Sequence, residues 1–181
     1  MNHSMRSAIL SLAALVLFCV FSQGADCPSA DKIEIMNVTT AAYAEAGPYD
    51  ISKIKSAKVF VLDNGKRVKV CLANIELKSY LSVDAIGAKK LNAGEFVLIL
   101  NLSNGPNEVA VGTYSPKAGY GKPFWATAEV LTGSGKSGTF FSIGANDGTV
   151  NLIELSNNNA CGTFDLTGAA GQVKGTFNIS R

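Results

Sequence analysis

The chain has 181 residues, 47% of them hydrophobic and 17% charged, a composition that belongs to a globular protein and not to a disordered tail. Sixteen Lys and Arg against 14 Asp and Glu leave a formal charge of +2 with no basic block, so nucleic acid is not an expected partner. The single histidine, His3, falls in a segment expected to be removed, and without it most general-base, Cys/His and zinc chemistry has no residue to act through.

Residues 1–24 have the three zones of a signal peptide. Arg6 supplies positive charge, residues 8–21 (AILSLAALVLFCVF) are apolar apart from Ser11, and Ser22-Gln23-Gly24 puts small residues ahead of a cut before Ala25. The apolar run falls short of the about 20 residues that a membrane-spanning helix needs. Asp26 precedes Cys27 and Phe18 precedes Cys19, so neither cysteine follows the small residue that a lipid anchor requires. The expectation is one secreted or periplasmic β-domain over residues 25–181, with no membrane span once the leader is removed.

From there the dominant period is two. Residues 32–38 read as a first strand. Residues 40–55, with several alanines and Gly47-Pro48, read as an excursion holding one helical turn at most. Residues 58–62 and 66–74 flank Asp63-Asn64-Gly65, and Asn-Gly accepts the positive φ angles of a tight type I′ hairpin turn. Residues 82–91 (SVDAIGAKKL) fit a short helix capped by Ser82, with Val83, Ile86 and Leu91 near one face, although Gly87 weakens it.

Strands follow at 95–102 (EFVLILNL), which ends at Ser103-Asn104-Gly105-Pro106, and at 108–114. In 124–131, Phe124, Ala126, Ala128 and Val130 alternate with Trp125, Thr127, Glu129 and Leu131. Further strands are expected at 139–143, 149–155, 162–167 and 173–179, separated by turns at 145–148, 157–159 and 168–171. About ten short strands with turn signals every 8–12 residues predict an all-β fold. It would be an antiparallel meander closed as a barrel or packed as a two-sheet sandwich, with at most one or two short helices.

A Gly-Thr step recurs at strand starts: Gly112-Thr113-Tyr114, Gly138-Thr139-Phe140, Gly148-Thr149-Val150, Gly162-Thr163-Phe164 and Gly175-Thr176-Phe177. Glycine permits a bend or bulge there, and the next two residues favour the pleat. Over roughly residues 95–179 this order resembles a pattern in small secreted bacterial β-domains and lipoproteins, families mostly catalogued as of unknown function. The resemblance implies an envelope or extracellular β-domain and brings no catalytic residues. The chain departs from many such relatives in lacking a lipobox.

Of four cysteines, three lie beyond the leader: Cys27, Cys71 and Cys161. In an oxidising compartment that predicts one disulfide and one leftover thiol. Alternation sets Cys71 opposite Val68, Val70 and Leu72, and Cys161 opposite Phe164 and Leu166, so both are expected to point away from the core. Cys27, on a flexible leading segment, can reach either, and the bridge is expected to include it.

Gly133-Ser134-Gly135-Lys136-Ser137-Gly138 ends like a phosphate-binding loop, but Val130 stands where the first glycine belongs, and the following residues read as a strand instead of the required helix. Ser29-Ala30-Asp31-Lys32 scans as S-x-x-K without its companion motifs. Asn146-Asp147-Gly148 with Glu154 lacks the alternating ligands of a calcium loop and reads as a turn. No metal or cofactor is expected.

The remaining feature is aromatic. Tyr114, Tyr120, Phe124 and Trp125 surround residues 115–123 (SPKAGYGKP), the loop richest in glycine, proline and rings. Loops on a rigid β-scaffold often carry binding, and flat rings suit sugars, peptides or apolar ligands. The plainer alternative, that these rings cover one end of the core, weighs more, because Trp and Tyr are usually mostly buried. The functional expectation is a non-catalytic binding or interaction domain outside the cytoplasm, for a ligand or protein that the residues do not name. The alternatives are a lipocalin-like carrier, which needs a barrel cavity, and a hydrolase built on two facing carboxylates.

Overall fold

A computed structural model describes residues 26–38, 50–78, 91–133, 138–156 and 159–180, with the backbone alone at 138–142. The leader, residues 82–90 of the expected helix and most of the 40–55 excursion lie outside them. The described chain is all-β and antiparallel. Strand β1 is Lys32–Val38, β2 Ser56–Leu62, β3 Arg67–Ala73, β4 Phe96–Ser103, β5 Gly112–Tyr114, β6 Trp125–Gly133, β7 Gly138–Ser142, β8 Ala145–Leu155, β9 Asn159–Gly168 and β10 Gly171–Ser180. One sheet has the order β1-β10-β9-β8-β5, the other β2-β3-β4-β6-β7. The two face each other as a sandwich, not a closed barrel.

The meander holds only in part. β2-β3-β4 and β8-β9-β10 run as neighbours, but β1 crosses to pair with β10, and β5 leaves β4 to pair with β8. These long-range pairings bring the two ends of the domain together.

Alternation decides which side chains fill the space between the sheets. Val68, Val70 and Leu72 from β3 and Ala126, Ala128 and Val130 from β6 meet Val150, Leu152, Phe164, Leu166 and Phe177 from the opposite sheet, all buried. In β4, Phe96, Leu98, Leu100 and Leu102 point inward. Its unbroken apolar run has a second cause: Val97 and Ile99 point outward and are also buried, beside Cys71, Ala73, Leu77, Leu91 and Leu131. A strand covered on both faces needs apolar residues at every position.

Cys71 points away from the central core, as its alternation predicts, and this outer cluster buries it fully with Leu77 and Leu91. Cys161 is joined to Cys27, with Cα atoms 5.6 Å apart.

The β2–β3 hairpin forms as its turn residues predict, but positive φ starts one residue earlier, at Asp63 (51°), and continues through Asn64 and Gly65. The Gly65 N–H donates to the Leu62 carbonyl at 3.0 Å to close it. Two expected boundaries fail. Residues 145–148 are not a turn: they begin the long strand β8, where the register shifts and Gly148 adopts φ +97°. Residues 108–111 are not strand either. The Val109 N–H donates to the Gly65 carbonyl at 2.7 Å, and both backbone groups of Ala110 are taken by a tyrosine hydroxyl.

Candidate functional site

The four aromatic residues around the 115–123 loop separate into two pairs with different surroundings. Tyr114 ends β5 with its ring fully buried. Its hydroxyl donates to the Ala110 carbonyl at 2.6 Å and accepts from the Ala110 N–H at 3.0 Å. A tyrosine bonding backbone four residues upstream is the corner seen where chains pass between sheets of β-sandwiches, and here the chain crosses from β4 to β5. Burial raises the Tyr114 phenol above its ordinary range, against the opposing Ala110 hydrogen bond, so the ring stays neutral and structural.

Phe124 lies beside it, ring centroids 5.3 Å apart. It closes the loop: its carbonyl accepts from the Ser115 N–H at 2.8 Å, and the Ser115 carbonyl accepts from the Ala126 N–H. Closure puts Phe124 at φ +56°, an uncommon conformation for a bulky side chain. That is why it falls out of the inward series Ala126-Ala128-Val130 and remains 43% exposed. A short 3-10 turn at Pro116–Ala118 stiffens the loop. Ser115 Oγ caps it by accepting from the Lys117 N–H, and also donates to the Gly148 carbonyl at 3.0 Å. Lys117 pairs with Asp147 at 2.7 Å, which together with the Gly148 N–H holds the Asp147 carboxyl below the usual range.

The second pair faces the other way. Trp125 precedes the inward Ala126, so alternation turns it to the outer face of the β2–β7 sheet. Tyr120, at the loop tip, is 83% exposed and meets Trp125 edge to face, centroids 5.1 Å apart and planes at 88°. These two rings border a groove of about 280 Å³.

Strand register builds its floor. Arg67, Ser103 and Trp125 stand side by side across β3, β4 and β6, and Lys69, Asn101 and Thr127 form the next row. In the row beyond, Cys71 and Ile99 belong to the outer apolar cluster, and Glu129 lines the groove. Asp63 in the hairpin turn ion-pairs with Arg67 Nε. Asn101 Nδ2 is buried without a hydrogen-bond partner. The floor is thus polar and charged, with an aromatic wall at one side.

Sequence reasoning named Tyr120 and Trp125 but missed Arg67, Lys69, Asn101 and Glu129. The available signal was their outward place in the alternation, and in β4 the one amide within an apolar run.

Cys27, Cys161 and Glu154 bring potential metal-ligating atoms within 4.8 Å of one another, with Cys27 Sγ 3.6 Å from Glu154 Oε2. The two sulfurs are joined to each other, so neither is a thiolate able to ligate. Gly133 pairs with Gly138 across β6 and β7, so the Gly-Ser-Gly-Lys segment links two strands, whereas a phosphate loop leads into a helix. No protein-family model, curated protein or solved structure matches the chain. The groove is therefore read from its own residues.

Proposed function

We propose that this chain is a non-catalytic binding domain working outside the cytoplasm, and that its ligand occupies the groove bordered by Tyr120 and Trp125. The observation that carries the reading is the perpendicular pair of rings, Tyr120 exposed and Trp125 half-buried, beside a polar floor. Tyr120 is 83% exposed and packs edge to face on the half-buried Trp125, an aromatic surface of the kind that flat ligands stack on. Among the described residues the groove lining includes one carboxylate, Glu129. Hydrolysis by paired carboxylates needs two, about 5–10 Å apart. The space between the sheets is filled by side chains from both, which disfavours a carrier with its ligand inside.

The Cys27–Cys161 disulfide suits an oxidising compartment. Among the described residues no helix is long and apolar enough to cross a membrane. Both accord with the export that the leader implies.

The test is a glycan, lipid and peptide binding screen on residues 25–181, repeated with Trp125→Ala. A ligand whose affinity falls at least tenfold in the variant supports the groove. A ligand that binds the variant equally well moves the site elsewhere, and no ligand in any class removes the binding reading.

A further inference from the structure

We infer that the groove takes one uncharged sugar residue, its ring face against Tyr120 and Trp125 and its hydroxyls on Asn101 and Glu129. This rests on the groove being the binding site proposed above and adds the class of ligand. Charge is the first constraint. Arg67 is held by Asp63 through Nε, Lys69 has a partner of its own, and Glu129 lies in the same lining. The two cations thus stand with two carboxylates, Asp63 and Glu129. An ionic ligand would give up its hydration here with no spare counter-charge to replace it.

The second constraint is backbone. The groove lies over β3, β4 and β6, each hydrogen-bonded to a strand on either side. An extended peptide therefore cannot add itself as a strand there, the mode in which main-chain bonds supply most of its affinity. The ligand must bind through side chains. A pyranose suits this, since it has an apolar C–H face for stacking on a ring and hydroxyls around its rim.

The third constraint is the lining. Tyr120 is 83% exposed, and its edge-to-face contact with the half-buried Trp125 orients it before a ligand arrives, so less ordering is left to binding. Strand register sets the polar groups beside these rings. Asn101 stands opposite Thr127, so Trp125 and Glu129 are its two diagonal neighbours on β6, each about 7–8 Å away at that spacing. One ring with its hydroxyls reaches from the aromatic wall across Asn101 to the carboxylate. The groove of about 280 Å³ lies near the lower end of the roughly 300–1,000 Å³ usual for small-ligand sites, which limits it to about that much. Asn101 Nδ2 is buried without a hydrogen-bond partner, and a ligand oxygen reached by a turn of the amide relieves that cost. Because a hydroxyl both donates and accepts, neighbouring hydroxyls on one ring serve the amide donor and the Glu129 acceptor together. A lipid chain would leave both unpaired.

The experiment is calorimetry on residues 25–181. The probes are neutral trisaccharides ending in glucose, galactose, mannose or N-acetylglucosamine, their uronate and amino-sugar counterparts, and a heptapeptide library. At least one neutral trisaccharide is expected to bind at least as tightly as its charged counterparts, with affinity changing less than twofold between 50 and 500 mM salt. Tyr120→Ala, which removes an exposed ring, should weaken it at least fivefold. Asn101→Leu removes the amide from an otherwise apolar strand and should also weaken it at least fivefold, while Tm stays equal or rises because an unpaired buried group is gone.

A uronate or amino sugar binding tenfold tighter than its neutral partner, with a strong salt dependence, overturns the uncharged assignment and leaves a sugar site. Undiminished binding in Asn101→Leu overturns the floor contact. Peptides binding in place of sugars, with loss in Tyr120→Ala, overturn the saccharide and keep the groove. Sugar binding that survives both variants, or no binding by any probe, overturns this inference and the reading beneath it.

Discussion

Cutting the Cys27–Cys161 bridge should lower stability mainly through the unfolded chain. The bridge spans 134 residues of sequence, so when intact it closes nearly the whole domain into one loop. For a loop of that length the chain-entropy relation gives about 5 kcal/mol at 25 °C. The native side of the balance should change little, because other bonds hold the leading segment in place. Thr176 Oγ1 donates to the Ala30 carbonyl at 2.9 Å, the Asn178 N–H to Asp31 Oδ1 at 2.8 Å and Asn178 Nδ2 to the Pro28 carbonyl at 2.6 Å. β1 then continues along β10. The double variant Cys27→Ala/Cys161→Ala avoids leaving a reactive thiol at either position. At about 2–4 °C per kcal/mol for a chain of this size, its Tm should fall by about 10–20 °C in a calorimetric scan. The urea m-value should rise, since an unlinked denatured chain exposes more surface. Near-UV circular dichroism before the transition should match the parent. A Tm loss under about 3 °C with an unchanged m-value would refute the loop-closure reasoning, and altered near-UV spectra would show that the bridge shapes the native state instead.

Three further outcomes follow from local geometry. Tyr114→Phe keeps the buried ring but leaves both backbone groups of Ala110 without the hydroxyl, so the urea midpoint should report a loss of about 1–3 kcal/mol at constant m; no change would mean that water replaces the corner freely. Gly148→Ala puts a side chain at φ +97°, where its Cβ meets the Asp165 carbonyl, and should cost about 3 kcal/mol or more, whereas a neutral result would contradict the bulge in β8. Burial raises the Asp31 carboxyl above its ordinary 3.8, against the opposing Asn178 N–H. The folded state therefore holds the Asp31 proton to higher pH than the unfolded state does, so ionisation opposes folding at neutral pH and that penalty fades as pH falls through the raised value. Asp31→Asn keeps an acceptor for Asn178 and should raise Tm at pH 7 by less than about 3 °C, the gain vanishing below pH 3.8; a lower Tm at pH 7 would show that the charge itself stabilises.

What could be read before the structure was what neighbours along the chain decide. Asp63-Asn64-Gly65 makes its hairpin by its own φ preferences, and the inward series Val68-Val70-Leu72 follows from a period of two. Features set by distant partners were hidden. Cys71 is buried because Leu77 and Leu91 cover the outer face, and nothing near residue 71 announces that cover. Residues 108–111 alternate like a strand, but their hydrogen bonds go to Gly65 and Tyr114 instead of to a ladder. The aromatic loop was legible as a cluster, and its division was not. It depends on Phe124 taking a left-handed conformation to close the loop, which keeps Tyr114 and Phe124 together and leaves Trp125 on the opposite face with Tyr120. Arg67, Lys69 and Asn101 join them only through strand register.

Trp125 is the chain's one tryptophan, so its emission reports on the groove and on no other place. The most direct test of the account is to titrate residues 25–181 with a ligand found by calorimetry while recording that emission. A saturable change in intensity or wavelength, with the midpoint of the binding heat, is the predicted result. Binding heat with an unaltered tryptophan signal would contradict the claim that the ligand sits in the groove.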